Sequence, residues 1–548
     1  MDKVLFVSLI PTSKNRLLEL QNEEISLTEL FNWSTWPLGV LSIESYIKKD
    51  SPMLLTEIID LNRKFLNKIN SAPDYKTGLI EITDNYIQFL TEDIERACQD
   101  EHIDIVALSA LFDISLSSLE LVAAEVREFA PEALIVAGGY PCTNFAGEII
   151  KRCPALDAIC LGEGEIPFAE LVGADNPREY LNMSPYFVSK THIGTEKGFI
   201  RNINDIPMID YSSYIDKYSD EVIREYVNVL DGGKNAFGSE GIVMTSRGCP
   251  YRCVFCAAHS IHGRGMRYLS TERVKAEIDF WIDKFNVSTI NIIDDHFLAD
   301  IERAIEIIDY ICGRGRNVFF ANTLSIAAVT QEFVNCLVRN RIKDVHFALE
   351  SGSARVLREI MHKPVTLQRA DEVFAMFRDT DIFVKIALIV GFPDETIDDI
   401  NDALGYLRKA EYHWATISNL IPISGSEVHS QIVKKTGMEY RMDSANFFMA
   451  HYANPETAEH MLGDIKYTMN LDINFVHNPY MRMGKYDLAV KRFEAILRSY
   501  PAHAFALYYL AKCRDELGQD SKHEYGKYRE AVAASPMWHK YAGHFGLE

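Results

Sequence analysis

The sequence predicts an α/β protein in three parts: a doubly wound α/β domain, a partial (β/α)6 barrel and a mainly α-helical tail. Three observations carry that reading. The chain has 548 residues, 47% of them apolar, which is enough for several cores and too long for one. Short apolar runs alternate with amphipathic segments through residues 1–425. Residues 475–548 break that rhythm, with a 34-residue step from Gly484 to Gly518.

In residues 1–175, Val4–Ile10, Ile105–Ser109, Ile135–Ala137 and Ala158–Leu161 read as buried parallel strands, short and continuously apolar. Leu116–Phe129 and Phe145–Lys151 are amphipathic and read as helices between them. A ligand of such a domain lies at the C-terminal strand ends. The loops there are Pro37-Leu38-Gly39, Ser109-Ala110-Leu111-Phe112, Gly138-Gly139-Tyr140-Pro141 and Gly162-Glu163-Gly164-Glu165. Their glycines let backbone approach a ligand closely. For any single loop, an ordinary strand-to-helix turn is the alternative.

Residues 176–240 are polar and irregular, with Asp205-Ile206-Pro207 and Asp231-Gly232-Gly233, and are expected to form a linker and a connecting helix. Alternation resumes over 241–425, with candidate strands Gly241–Thr245, Thr289–Ile293, Val318–Ala321, Val345–Leu349, Val384–Val390 and Thr416–Leu420. Six units are too few for a closed eight-fold barrel and make an open one. Residues 426–474 connect to the tail at 475–548, where Pro501 to Pro536 nearly repeats the 34-residue step. That period is the one of a tetratricopeptide (TPR)-type helical hairpin. An unrelated helical cap is the alternative, because fewer than three repeats rarely stand alone.

Charge and cysteine usage narrow the function. Lysine plus arginine (56) against aspartate plus glutamate (78) leaves −22, which argues against a nucleic-acid partner. No run reaches the ~18 apolar residues of a membrane span. Met1–Pro11 has no small-residue cleavage site, so no membrane partner and a cytoplasmic location are expected. The ten cysteines form no disulfide framework. Cys98, Cys142, Cys153, Cys160, Cys312, Cys336 and Cys513 are scattered and read as structural thiols.

The tight group is Cys249-Pro250-Tyr251-Arg252-Cys253-Val254-Phe255-Cys256, directly after a predicted strand. Three thiolates in a CxxxCxxC loop wrap one corner of a cubic iron–sulfur cluster and leave one iron open. Zinc is the alternative; it wants a fourth ligand, for which His259 or His262 is near enough in sequence.

Cys249, Cys253 and Cys256, with Phe255 before the last, resemble the radical S-adenosylmethionine (SAM) superfamily, and the resemblance runs through 241–425. It implies a 4Fe-4S cluster on the three cysteines and SAM on the open iron, cleaved by one electron to a 5′-deoxyadenosyl radical. A flavodoxin or ferredoxin is the implied kind of electron donor. Asp294 and Asp295, at the end of Asn291–Phe297, match the place where the family holds the methionine ammonium; a helix N-cap is the alternative. Glu350 and Ser351, in Ala348–Ser353, match a SAM-contacting segment, with a salt-bridged barrel carboxylate as the other reading of Glu350. Gly391, in Ile389–Thr396, matches the motif beside adenine, and Pro422 and Gly425 match the sixth-strand turn.

An α/β domain before such a barrel resembles the cobalamin (B12)-binding radical SAM enzymes, in which the first domain is Rossmann-like. The resemblance implies cobalamin, as hydroxocobalamin or methylcobalamin, between the two domains. Its contacts would come from Pro37, Leu38, Gly39, Ser109, Leu111, Phe112, Gly138, Gly139, Tyr140, Glu163, Gly164 and Glu165. Asp113-Ile114-Ser115-Leu116 carries no histidine, so the Asp-x-His-x-x-Gly cobalt-ligand motif of other corrinoid proteins is missing. A domain that no longer binds corrinoid is the alternative.

The implied activity is methylation of an unactivated carbon, or less readily phosphorus, of a small-molecule substrate, with the cofactors carrying the hard steps. A rearrangement or cyclisation without methyl transfer is one rival. A second is modification of a peptide or carrier protein gripped by the tail, or of tRNA, against which the charge weighs. A non-catalytic scaffold is a third. His259, His262, Tyr268 and His296 read as packing or hydrogen-bonding residues, and Arg264 and Arg267 as anion contacts or solvated positions; none is assigned a catalytic role.

Overall fold

The structure, a computed structural model, describes residues 1–22, 36–218, 240–437 and 459–547. The N-terminal sheet contains β1 Lys3–Ser8, β2 Leu55–Asp60, β3 Ile105–Ser109, β4 Leu134–Gly138, β5 Ala158–Cys160 and β6 Phe187–Ser189. Their order is β2-β1-β3-β4-β5-β6, parallel except for β6, which pairs antiparallel with β5. Strand order reverses between β1 and β3, the switch point at which such sheets open a ligand crevice. β6 carries this sheet past residue 175, so part of the expected linker belongs to the first domain. Asp231–Gly233 lies outside the described residues.

Period-two alternation divides the sheet between two cores. Leu5, Val7, Val106, Leu108, Ile135 and Ala137 face a core private to this domain. Val4, Phe6, Ile105, Ala107, Leu134 and Val136 face a core that continues into the second domain.

That domain is the open barrel, with every expected strand present. Its strands are β7 Glu240–Val243, the short hairpin β8 Ser246–Arg247 with β9 Arg267–Tyr268, β10 Thr289–Ile292, β11 Asn317–Phe320, β12 Leu324–Ser325, β13 Asp344–Glu350, β14 Phe383–Val390 and β15 Trp414–Asn419. They pair as β11-β10-β7 and β12-β13-β14-β15, parallel throughout. Along β14, Val384, Ile386, Leu388 and Val390 are buried in the shared core, whereas Phe383, Lys385, Ala387 and Ile389 alternate with them and are half-buried.

An open barrel leaves an edge strand, which must be covered or blunted. Here Asn474, in a π-helical turn Asp472–Val476, imitates the missing neighbour. Its Oδ1 accepts from the Ala415 N–H of β15 at 2.9 Å, and its Nδ2 donates to the Ala415 carbonyl at 2.8 Å. Helices Tyr486–Ser499, Ala504–Glu516, Lys522–Ala534 and Pro536–His544 follow. Gly484 and Gly518, the two ends of the 34-residue step, sit in the left-handed region at φ 69° and 67°. Among the described residues no helix is long and apolar enough to cross a membrane.

Candidate functional site

The three cysteines lie on one loop between β8 and the helix Ala258–His262. Val254, between them, is pinned from both sides: its N–H donates to the Met361 carbonyl at 3.1 Å, and its carbonyl accepts from the Val428 N–H at 2.9 Å. Burial pushes the Cys253 thiol up to about 11 and raises Cys249 and Cys256, while the charge of Lys363 opposes the rise in all three. Cys253 and Cys256 also feel one another, as do Cys249 and Cys256. Among the described residues, no three His, Cys, Asp or Glu side chains are drawn together at metal-ligand geometry. The donor set fits a cluster nevertheless: three thiols on one pinned loop, with a cation beside them to favour thiolate.

That cation was not visible in the sequence. Lys363 donates to Glu350 at 3.1 Å, with both side chains under 10% exposed, and its ammonium lies 5.8 Å from the Phe255 ring centroid. Burial pulls its pKa down, but Glu350 and the thiols outweigh that, and the net shift is upward. Glu350 follows a register shift between β13 and β14 and holds φ at 73°, a strained value for a residue with a side chain. The salt-bridged reading of Glu350 is therefore the observed arrangement. Ser351 beside it is buried and accepts from the Ser353 N–H at 3.1 Å. Phe255 packs edge-on against Phe392 at 6.1 Å. Gly391 adopts φ 97°, and its N–H donates to the buried carboxyl of Glu395.

The two aspartates separate. Asp294 is 3% exposed, and its oxygens accept from the Thr245 N–H, the Thr245 hydroxyl and the Ser246 hydroxyl at 2.6, 2.5 and 2.6 Å. These bonds knit the end of β7 to that of β10. Asp295 is exposed and turned toward the cysteine loop, accepting from the Gly248 N–H at 3.4 Å.

A cavity of about 680 Å³ runs between the two domains. All twelve residues expected to contact cobalamin line it, from Pro37-Leu38-Gly39 through Glu163-Gly164-Glu165. Its other wall is the inner face of β7, β10 and β11, including Glu240, Ile242, Asn291, Ile293 and Phe319. Leu111 and Phe112 present 39% and 41% of their surface, unusual for large apolar side chains unless something covers them. This size and apolar lining suit a bulky organic ring system. At Gly139, with φ 110°, a Cβ would meet the Ala110 carbonyl oxygen at 1.9 Å, so close packing of the two loops requires the glycine.

The acids of the Gly162–Glu165 loop line the cavity while held in ion pairs. Glu163 accepts from Arg267 through Nη1 at 2.8 Å and Nη2 at 2.7 Å, and pairs with His262 Nδ1 at 2.8 Å. Burial pushes its carboxyl up, but these bonds and the charge of Arg247 hold it well below the usual carboxylate range. Glu165 accepts from Arg247 at 2.7 Å and from Ser42 at 2.6 Å. Arg267, read as an anion contact or a solvated position, and His262, read as a packing or hydrogen-bonding residue, are thus the barrel's half of a buried ion cluster. Asp113, where the cobalt-histidine motif would begin, instead accepts from the Ser424 N–H at 3.2 Å and from its hydroxyl. Asn144 reinforces the junction by donating to the Ser424 carbonyl at 3.2 Å.

Comparison with known proteins agrees with this geometry. A family model described as the radical SAM superfamily matches residues 243–407, and one described as the B12 binding domain matches residues 76–172. The uncharacterized methyltransferase PH0819 of Pyrococcus horikoshii is 27% identical over 356 residues, covering 64% of this chain and 74% of that protein. The cytidylyl-2-hydroxyethylphosphonate methyltransferase of Streptomyces wedmorensis is 24% identical over 438 residues, covering 73% and 78%. Among solved structures, TsrM of Kitasatospora setae, a radical S-adenosylmethionine methyltransferase with cobalamin and a 4Fe-4S cluster bound, aligns with a TM-score of 0.59. It is 15% identical and the match covers 80% of this chain and 79% of that one, a likeness of fold.

Proposed function

From a chain that carries a radical SAM domain behind a B12-binding domain, we propose a cobalamin-dependent methyltransferase acting on an unactivated carbon of a small molecule. The observation that carries it is the shared cavity: one wall is the strand ends of the first domain, the other the inner face of the barrel. When bound, the cluster and SAM supply the radical that opens a C–H bond, and the corrinoid supplies the methyl group. The chain's own part is placement and exclusion. Cys249, Cys253 and Cys256 hold the cluster, and Lys363 offsets their charge while being held by Glu350. Asp295, open toward the cysteine loop, is the carboxylate left for the methionine ammonium once Asp294 is committed. Phe255, between the last two cysteines, is backed by Phe392 edge-on. Leu111 and Phe112 offer the surface a corrin ring would cover.

The test separates methyl transfer from rearrangement. The cluster-reconstituted chain is incubated anaerobically with SAM, a strong reductant and a set of candidate substrates, with and without hydroxocobalamin. S-adenosylhomocysteine that appears only with the corrinoid supports the proposal. Substrate-dependent 5′-deoxyadenosine with no S-adenosylhomocysteine would replace it by a rearrangement.

A further inference from the structure

Among the described residues, the Arg, His and Glu side chains lining the cavity are paired, with one exception. Arg247 is matched with Glu165 at 2.7 Å, His262 with Glu163 at 2.8 Å, and Arg273 with Glu277 at 2.8 Å. Glu240, at the start of β7, has no cation near it among the described residues. It is 5% exposed, it lines the cavity, and its Oε1 is buried without a hydrogen-bond partner. Buried polar atoms are rarely left so, and each one that is asks for a missing partner.

The surroundings specify that partner. Asn291 accepts at Oδ1 from the Ala321 N–H at 3.1 Å, which turns its amide nitrogen away from that bond, and it lines the same wall as Glu240. Glu240 keeps its Oε1 open. Ile242, Ile293 and Phe319 border the same wall and offer only apolar contact. A group satisfying this corner has a cationic N–H donor on an apolar body. The corner belongs to the barrel wall, opposite the twelve residues on the first domain's loops.

We propose that Glu240, with Asn291 beside it, anchors the protonated amino group of a small apolar amine, and that the substrate belongs to that class. This rests on reading the cavity as the substrate and corrinoid site. No bond is made or broken at Glu240; it positions its ligand by charge and hydrogen bonding.

The test uses the full chain loaded with cluster and hydroxocobalamin, and a matched pair of probes, phenethylamine and 2-phenylethanol, differing in the ammonium. Calorimetry should show the amine bound roughly tenfold or more tightly than the alcohol, the value of one charge-assisted hydrogen bond. In E240Q that preference should vanish while affinity for hydroxocobalamin stays unchanged. Equal binding of amine and alcohol by the unmodified chain would overturn the proposal, and that arm needs no variant to fold. A tenfold loss of hydroxocobalamin affinity in E240Q would also overturn it, by assigning the open oxygen to a corrinoid amide. Binding is read without turnover, so failure here leaves the S-adenosylhomocysteine assay standing.

Discussion

The barrel is joined to a neighbour on two sides, and the two junctions are built from opposite materials. Toward the first domain, the joint is a buried cluster of charges, in which Glu163 and Glu165 meet Arg247, Arg267 and His262 around the rim of a cavity. Toward the tail, it is a stack of rings and a mimicked strand. His413, Phe383 and Tyr480 form a triangle of near-parallel rings, with His413 5.8 Å from Phe383 and 4.8 Å from Tyr480 and those two 6.1 Å apart; Arg492 caps Phe383 at 3.8 Å, and Asn474 closes β15. One ion pair, Arg408 with Asp472, stands at its margin. The difference follows from what each joint must leave open. Ring stacking and edge pairing fill space, which suits a seam with nothing inside. Directional ion pairs hold two surfaces at a fixed distance and leave a void between them, at the desolvation cost that buried charges carry.

The contrast breaks most visibly at Glu163. E163A leaves Arg267 and His262 facing an uncharged hole, with an expected loss of about 3–5 kcal/mol in denaturant unfolding. Corrinoid retention measured by absorbance after gel filtration should fall with it. Unchanged corrinoid retention would mean that the ion cluster does not shape the cavity. A smaller effect is expected at the other joint. N474A strips both hydrogen bonds from Ala415 and should cost about 1–3 kcal/mol, read as earlier exchange of β15 amides, with corrinoid retention intact. Loss of corrinoid in N474A would erase the distinction between the two joints.

Acid should loosen the tail joint. Burial holds His413 and His503 at about 4, and each uses its Nδ1 lone pair to accept a backbone N–H, from Val384 at 2.9 Å and Ala506 at 3.2 Å. An unfolded histidine titrates near 6.5. Between those values the unfolded chain binds more protons, so this stability is complete above pH 6.5 and is lost as pH falls through about 4. The cost is on the order of 1 kcal/mol at His413, which is the better buried ring. Thermal unfolding followed from pH 7 to 4 should decline less steeply in H413F, which keeps the stack but cannot be protonated. An equal slope in both proteins would remove His413 from the explanation.

The six barrel strands were legible because each is a short apolar run between helical patterns. β2 was not: Thr56 and Glu57 interrupt its apolar residues, and Leu55 is exposed, so it lacks the continuous run of a central strand. The cysteine loop was legible from spacing alone, since three thiols so close serve few other ends. Its counter-charge was hidden, because Lys363 lies 13 positions from Glu350 and looks like any surface lysine. The partners of Asp294 were hidden for a physical reason: a carboxylate at a strand end reads the same in sequence whatever hydroxyls, here those of Thr245 and Ser246, fold against it. The partner of Glu163 was hidden likewise, Arg267 being 104 positions away. Glu240 left no signal, since the start of a strand is an ordinary place for an exposed glutamate.

The most direct measurement is the cofactor content of the chain after anaerobic reconstitution with iron, sulfide and hydroxocobalamin and removal of excess. About four irons and one corrinoid per chain are predicted, with C249A, C253A and C256A each losing iron while keeping corrinoid. A full complement of iron with no retained corrinoid would contradict the two-cofactor cavity between the domains.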